Sequence, residues 1–207
     1  MEPFYRNRGF TLIEMLVVLG IIAAVTSVAL ASQSSFNRTL ILANTAYDIA
    51  LTLRSAENFG IGSRAISGTA NAGYGVHFQR GTSDSFLLFA DTSPANNFSC
   101  TRPDCRPGDQ LYSIDDTLVQ TYTLGNNIIV SNFCVFSDRW QCASTGDVSS
   151  LDIVFARPNP DASIRTDGSS YSSYTAACLV ISSDRGGFRF VSVEASGQII
   201  PAASSCP

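Results

Sequence analysis

An α+β fold, with a long N-terminal helix laid on an antiparallel β-sheet domain, is what this sequence predicts, and three observations predict it. Residues 10–31 are apolar with a single charge, Glu14. Residues 36–58 continue without a proline and in helical periodicity. After Gly62 the chain changes to short β-type runs separated by turn residues.

The first stretch reads FTLIEMLVVLGIIAAVTSVALA, 22 residues preceded by Arg6 and Arg8. As a helix it would be about 33 Å long, enough to cross a hydrocarbon core of about 30 Å. The arginines place its start on the cytoplasmic side. No second stretch of this kind occurs, which excludes a polytopic transporter or channel.

In the second stretch Asn44, Thr45, Asp48, Thr52 and Ser55 fall on one polar strip when wound at about 100° per residue. Leu40, Leu42, Ala43, Ala46, Tyr47, Ile49, Ala50, Leu51 and Leu53 fill the wide remaining arc, so this amphipathic helix needs a partner surface. Gly60 and Gly62 are the expected stops. One helix over residues 10–59 would be about 75 Å long; a break at the small polar run 32–35 is the alternative.

Strands are expected at residues 74–78, 86–91, 111–114, 119–124, 128–133, 151–155, 177–182 and 188–193, with a further short run at 199–200. Asp184-Arg185-Gly186-Gly187 and Ser196-Gly197-Gln198 read as hairpin turns. The Asp/Ser/Gly-rich stretch 158–174 reads as a long surface loop.

Composition narrows function. Hydrophobic residues make up 45% and charged residues 14%, against roughly 25% charged in an average chain, which argues for a buried core rather than disorder. The net charge of −4 provides no global positive field for a nucleic acid or an anionic surface. From residue 151 onward Arg157, Arg165, Arg185 and Arg189 face Asp152, Asp161, Asp167, Asp184 and Glu194, so nucleic acid is disfavoured there too. All 13 basic residues are arginines, which removes P-loop, Schiff-base and isopeptide lysine chemistry. His77 is the single histidine, so multi-histidine metal sites are impossible and no cofactor is expected. His77 alternates with Tyr74, Val76 and Phe78 in a strand and reads as structural, not catalytic. Asp115-Asp116, Asp104 and Asp109 lack calcium-loop spacing and read as solvated turn residues.

The six cysteines, Cys100, Cys105, Cys134, Cys142, Cys178 and Cys206, include no C-x-x-C pair, so disulfides are preferred over zinc. That implies an oxidising compartment. Fifteen connectivities are open; pairing in chain order is the expectation, since short spacing favours contact. The cysteine-rich stretch 98–108 reads as a stapled surface excursion, with a partner-binding loop as the alternative.

Two processing readings compete at the N-terminus. Ala29-Leu30-Ala31 fits a secretory cleavage site, which would release a soluble β-rich enzyme or binding protein starting at Ser32. Against it, the apolar stretch exceeds a normal signal core and carries Glu14, a carboxylate costing about 2.5 to 3.5 kcal/mol in a bilayer. The string Gly9-Phe10-Thr11-Leu12-Ile13-Glu14, by contrast, resembles the processing site of type IV pilins and type II secretion pseudopilins. The resemblance implies cleavage between Gly9 and Phe10 by prepilin peptidase, N-methylation of Phe10, and Glu14 as the assembly carboxylate. It also implies a non-enzymatic subunit of a type IV pilus or secretion pseudopilus, anchored by a single pass in the bacterial inner membrane. Its partners would be other subunits and the inner-membrane assembly platform. Cleavage would create an ammonium at Phe10 four residues before Glu14, and residues i and i+4 share a helix face, so the two charges can neutralise within or between subunits.

Tyr74-Gly75-Val76-His77-Phe78, Leu151-Asp152-Ile153-Val154-Phe155 and Phe188-Arg189-Phe190-Val191-Ser192-Val193 through Gly197-Gln198-Ile199-Ile200 look like the GspH/FimT group of minor pseudopilins and minor pilins. The implied organisation is a leader at 1–9, a transmembrane and assembly helix at 10–31, its amphipathic continuation at 32–59, and a disulfide-bearing β domain at 60–207. One departure stands out: many major pilins carry a kinking proline in the apolar helix, and here none occurs between Phe10 and Pro94.

Overall fold

The computed structural model describes residues 9–62, 64–66, 72–92, 108–166, 174–184, 186–203 and 205–206. The fold is α+β with a pilin-like layout: α1 (Leu12–Ile61) is followed, among the described residues, by ten strands in two antiparallel sheets. The chain divides into two compact units, Met1–Leu40 and Ile41–Pro207.

In the first unit α1 is apolar on every side, and among the described residues Leu12, Ile13, Met15, Val18 and Ile21, which lie around the whole helix, are all exposed. In the second unit the helix buries Leu42, Ala46, Ile49, Ala50, Leu53 and Ala56, the three-and-four spacing of one face. Thr52, expected on the exposed polar strip, is also buried, and its hydroxyl donates to Asp48 O at 3.0 Å. Thr45 and Ser55 satisfy their hydroxyls the same way on Ile41 O and Leu51 O. Self-bonded hydroxyls let this side pack, so the strip is less solvated than its composition suggests. Leu51 and Tyr47, assigned to the apolar arc, are instead exposed.

One sheet runs in the order β3-β2-β1-β6-β7: β1 (Gly73–Gln79), β2 (Ser85–Asp91), β3 (Thr117–Thr123), β6 (Ser150–Phe155) and β7 (Ala162–Arg165). The other runs β10-β9-β8-β4-β5: β4 (Ile128–Phe136), β5 (Trp140–Cys142), β8 (Ala176–Ser183), β9 (Phe188–Glu194) and β10 (Ile199–Ala203). Tyr74, Val76 and Phe78 of β1, Ile153 and Phe155 of β6, and Leu179 and Ile181 of β8 join the helix residues in one core. Gly60 lets the helix backbone touch β6, since a Cβ there would fall on Phe155 O. Gly197, at φ 84, closes the β9–β10 hairpin with its N–H on Glu194 O.

Two expectations are corrected, and one strand lies where none is expected. Residues 111–114 form no strand, because the N–H groups of Leu111, Tyr112 and Ser113 go to carboxylates rather than to the backbone of a neighbouring strand. Inside the expected loop 158–174 lies β7, which pairs with β6 and buries Ala162 and Ile164. The three-residue β5 carries no periodic signal and is tied to β4 through cysteine.

Candidate processing and assembly site

Helix α1 starts at Leu12 because Thr11 and Glu14 cap it. Thr11 Oγ1 accepts the Glu14 amide at 3.3 Å, while Glu14 Oε2 accepts the Thr11 amide and the Thr11 hydroxyl, each at 2.9 Å. This reciprocal pattern satisfies amides that a helix start leaves unpaired. It also puts a carboxylate where the helix dipole favours negative charge. The Thr-x-x-Glu spacing ahead of an apolar run carries this information in the sequence; assigning Glu14 to assembly alone passes over it.

Gly9 and Phe10 lie outside the helix and are exposed, Phe10 at 82%. A Cβ on Gly9 would meet nothing within 4 Å among the described residues, so no packing against them requires glycine there. The Gly9–Phe10 bond thus joins two exposed residues that precede the helix, as an approaching peptidase would need. Phe10 is not yet on the helical turn that would set it over Glu14, since Thr11 caps the helix ahead of it. Ala31 and Ser32, flanking the competing cleavage site, are by contrast both within helical backbone. Leu12–Leu30 is long and apolar enough to cross a membrane, with 19 residues and a mean hydropathy of 2.4.

In the β domain His77 is buried, its Nδ1 lies 2.7 Å from Asp152 Oδ1, and its ring is tilted on Tyr112 at 4.7 Å. Asp152 is itself 1% exposed; burial pushes its carboxyl up, and the His77 hydrogen bond pulls it back. Both residues belong to a group that holds segment 110–113. The consecutive amides of Gln110, Leu111, Tyr112 and Ser113 donate to Asp91 Oδ2, Asp109 Oδ1, Asp152 Oδ1 and Asp116 Oδ2 at 2.8, 3.1, 3.2 and 2.7 Å. Asp116, expected to be solvated, is buried and also accepts the Thr92 amide, whereas Asp115 is exposed as expected. Asp91 is 1% exposed, and its Oδ1 has no hydrogen-bond partner among the described residues. Burial pushes its carboxyl up to about 8, opposed by the Gln110 amide and reinforced by the charges of Asp116 and Asp109. Gly108, at φ 104, lies against this carboxyl so closely that a Cβ would overlap it. Nothing in the linear sequence marks Asp91 or Asp152 as buried. Among the described residues no group of three His, Cys, Asp or Glu is placed to hold a metal ion.

Cys134 and Cys142 form a disulfide across β4 and β5 with Cα atoms 4.0 Å apart, and Cys178 and Cys206 form another at 5.8 Å. Cys100, Cys105 and Asp104 lie outside the described residues.

No curated protein and no solved structure matches the chain. The family model described as the prokaryotic N-terminal methylation motif matches residues 5–30, the stretch that holds Gly9, Phe10, Glu14 and the capped start of the apolar helix. This region therefore carries a type IV pilin-type methylation motif, which marks the chain as a type IV pilin-like substrate of prepilin peptidase.

Proposed function

We propose that the chain is a minor pilin or pseudopilin of the GspH/FimT kind, a structural subunit of a type IV pilus or a type II secretion pseudopilus. Prepilin peptidase cuts between Gly9 and Phe10, removing residues 1–9, and Phe10 is N-methylated. The mature chain is held by one pass in the bacterial inner membrane with its β domain outside the cytoplasm. It is then drawn into a filament whose core is built from residues 10–31 and their continuation at 32–59. The observation that carries this reading is an exposed Gly9–Phe10 bond abutting a capped helix that is apolar on all sides. A helix apolar all round needs lipid or other helices. Tyr47 and Leu51, at 50% and 62% exposure, offer further apolar contact to neighbouring subunits.

Removal of the leader frees the Phe10 amine, and Glu14 then has two claims on it: the Thr11 cap and the new ammonium. Opposite charges neutralised in lipid favour assembly over solitary insertion. The test is the mature N-terminus of the protein isolated from its native host. Mass spectrometry should find N-methylated Phe10 first; a chain starting at Ser32 would establish the exported soluble form instead.

A further inference from the structure

The two disulfides among the described residues lie side by side. Cys134 stands directly opposite Cys142 on β5 and directly opposite Cys178 on β8, so Cys142, Cys134 and Cys178 form one row across three adjacent strands. Directly opposed residues in antiparallel strands point to the same face, with Cα atoms about 4.5 to 5.5 Å apart, within the range a disulfide spans. Cys134 therefore has two bonding partners within reach, and Cys178 also has two, Cys134 and Cys206. The middle pair is sealed, at 0% and 1% exposure, while the outer sulfurs belong to Cys142 and Cys206, both partly exposed.

We propose that these four cysteines form a thiol–disulfide exchange site, in which attack by an external thiolate on either outer sulfur converts the two native bonds into a Cys134–Cys178 bond. The attacking group is a low-molecular-weight thiol or the active-site thiolate of a dithiol oxidoreductase. Attack on Cys206 Sγ forms a mixed disulfide there and breaks the Cys178–Cys206 bond, leaving the electron pair on Cys178 Sγ. A thiolate buried at that position lacks water to stabilise it. It attacks Cys134 Sγ, the Cys134–Cys178 bond forms, and the Cys134–Cys142 bond breaks. Cys142 departs as the thiolate and takes a proton from water. One thiol is consumed and one released, two disulfides precede and two follow, and no net oxidation or reduction occurs. The direction is set by hydration, because the displaced charge moves from a sealed sulfur to a partly exposed one. Cys142 lies a second strand spacing away, about 9.5 Å from Cys178, so attack falls on Cys134. Attack on Cys142 Sγ runs the same sequence in reverse order and ends with Cys206 free. Either way β5 or the segment after β10 loses its covalent tie while β4 and β8 gain one.

The test uses the full chain in detergent with Cys100→Ser and Cys105→Ser, so that only the row is read. Reduced glutathione at one equivalent is followed by iodoacetamide and non-reducing tryptic mapping; cleavage after Arg139, Arg165 and Arg185 places the four cysteines on separate peptides. Loss of the Cys134–Cys142 peptide pair in step with the appearance of Cys134–Cys178 is expected, with one outer cysteine alkylated and the other carrying glutathione. An alkylated Cys178 beside an intact Cys134–Cys142 bond, or any other connectivity, overturns the proposal. Cys206→Ser asks the same question without reductant: Cys134–Cys178 with a free Cys142 is expected, and a free Cys178 beside Cys134–Cys142 refutes the exchange.

Discussion

The two halves of α1 are both helical and both rich in leucine, isoleucine and alanine, yet they answer to different surroundings. Between Leu12 and Leu30 every large apolar side chain is exposed, and Leu12, Ile13, Ile21, Val18 and Met15, wound at about 100° per residue, point around the full circumference. From Leu42 to Ala56 the buried positions recur at three and four residues, and Ile49 and Leu53 reach 0% exposure. Composition marks the first as apolar throughout, and periodicity shows that the second carries its apolar residues as a stripe. A stripe addresses a surface that the chain itself supplies, whereas an unbroken apolar cylinder addresses lipid or other chains. Substitutions in the first half should therefore alter processing and assembly and spare the domain, and those in the second should do the opposite.

The largest effect is expected at Gly9. Gly9→Leu places its Cβ against no atom of the described residues, so the β domain should melt as before while the precursor accumulates uncut. Immunoblotting for the leader and thermal unfolding of the same sample would check both halves of that statement. Glu14 is subtler, because it serves the cap and, after cleavage, the Phe10 ammonium. Glu14→Ala removes both; Glu14→Gln keeps an oxygen for the Thr11 amide and removes only the charge. If charge neutralisation drives assembly, both variants should be cleaved normally at Gly9–Phe10 and both should vanish from the sheared filament fraction. Incorporation of the glutamine variant at wild-type level would reduce Glu14 to a helix cap.

The second half of the helix should respond in the opposite sense. Leu53→Ala truncates a fully buried side chain and should lower domain stability by about 2 to 5 kcal/mol. Leu51→Ala, two residues away but 62% exposed, should stay within about 0.5 kcal/mol. Urea denaturation of the full chain in detergent separates the two, and equal losses would mean that the helix face is misassigned.

How much of this was legible beforehand follows from how local each determinant is. Gly9, Phe10 and Glu14 act as a linear string and could be read as one. The strands around Tyr74, Phe86, Leu151, Leu179 and Phe190 announced themselves through aromatic and β-branched runs. The covered part of the amphipathic arc could not be chosen from periodicity, which makes Leu51 and Leu53 equivalent until a sheet is placed against one of them. Segment 111–114 looks like a strand in composition, but the amides of Leu111 and Ser113 pair with the neighbouring Asp109 and Asp116, and that of Tyr112 pairs with Asp152, 40 residues distant. Four-residue β7 and three-residue β5 are too short to show alternation. The pairing of Cys178 with Cys206 followed chain order, but the row that joins both disulfides depends on strand register and was invisible.

Asp91 supplies the smallest effect and extends the comparison from side chains to charges. Glu14 is an exposed acid whose carboxylate meets a hydroxyl and an amide, while Asp91 is a sealed acid with one oxygen unpartnered. Burial raises the Asp91 carboxyl from 3.8 to about 8, so between those values the folded chain holds a proton that the unfolded chain has released. Stability from this group is fully present below about pH 4 and is lost as pH rises toward about 8, at no more than about 1.4 kcal/mol per pH unit. Asp91→Asn cannot ionise and retains an oxygen for the Gln110 amide, so it should flatten that decline. It should not abolish it, because Asp152 is raised by the same burial and acts with the same sign. Urea midpoints at pH 5, 7 and 9 would show the wild type falling more steeply than the variant. Parallel curves would mean that Asp91 is already ionised in the folded domain, and the unpartnered oxygen would then have to be met by a donor outside the described residues.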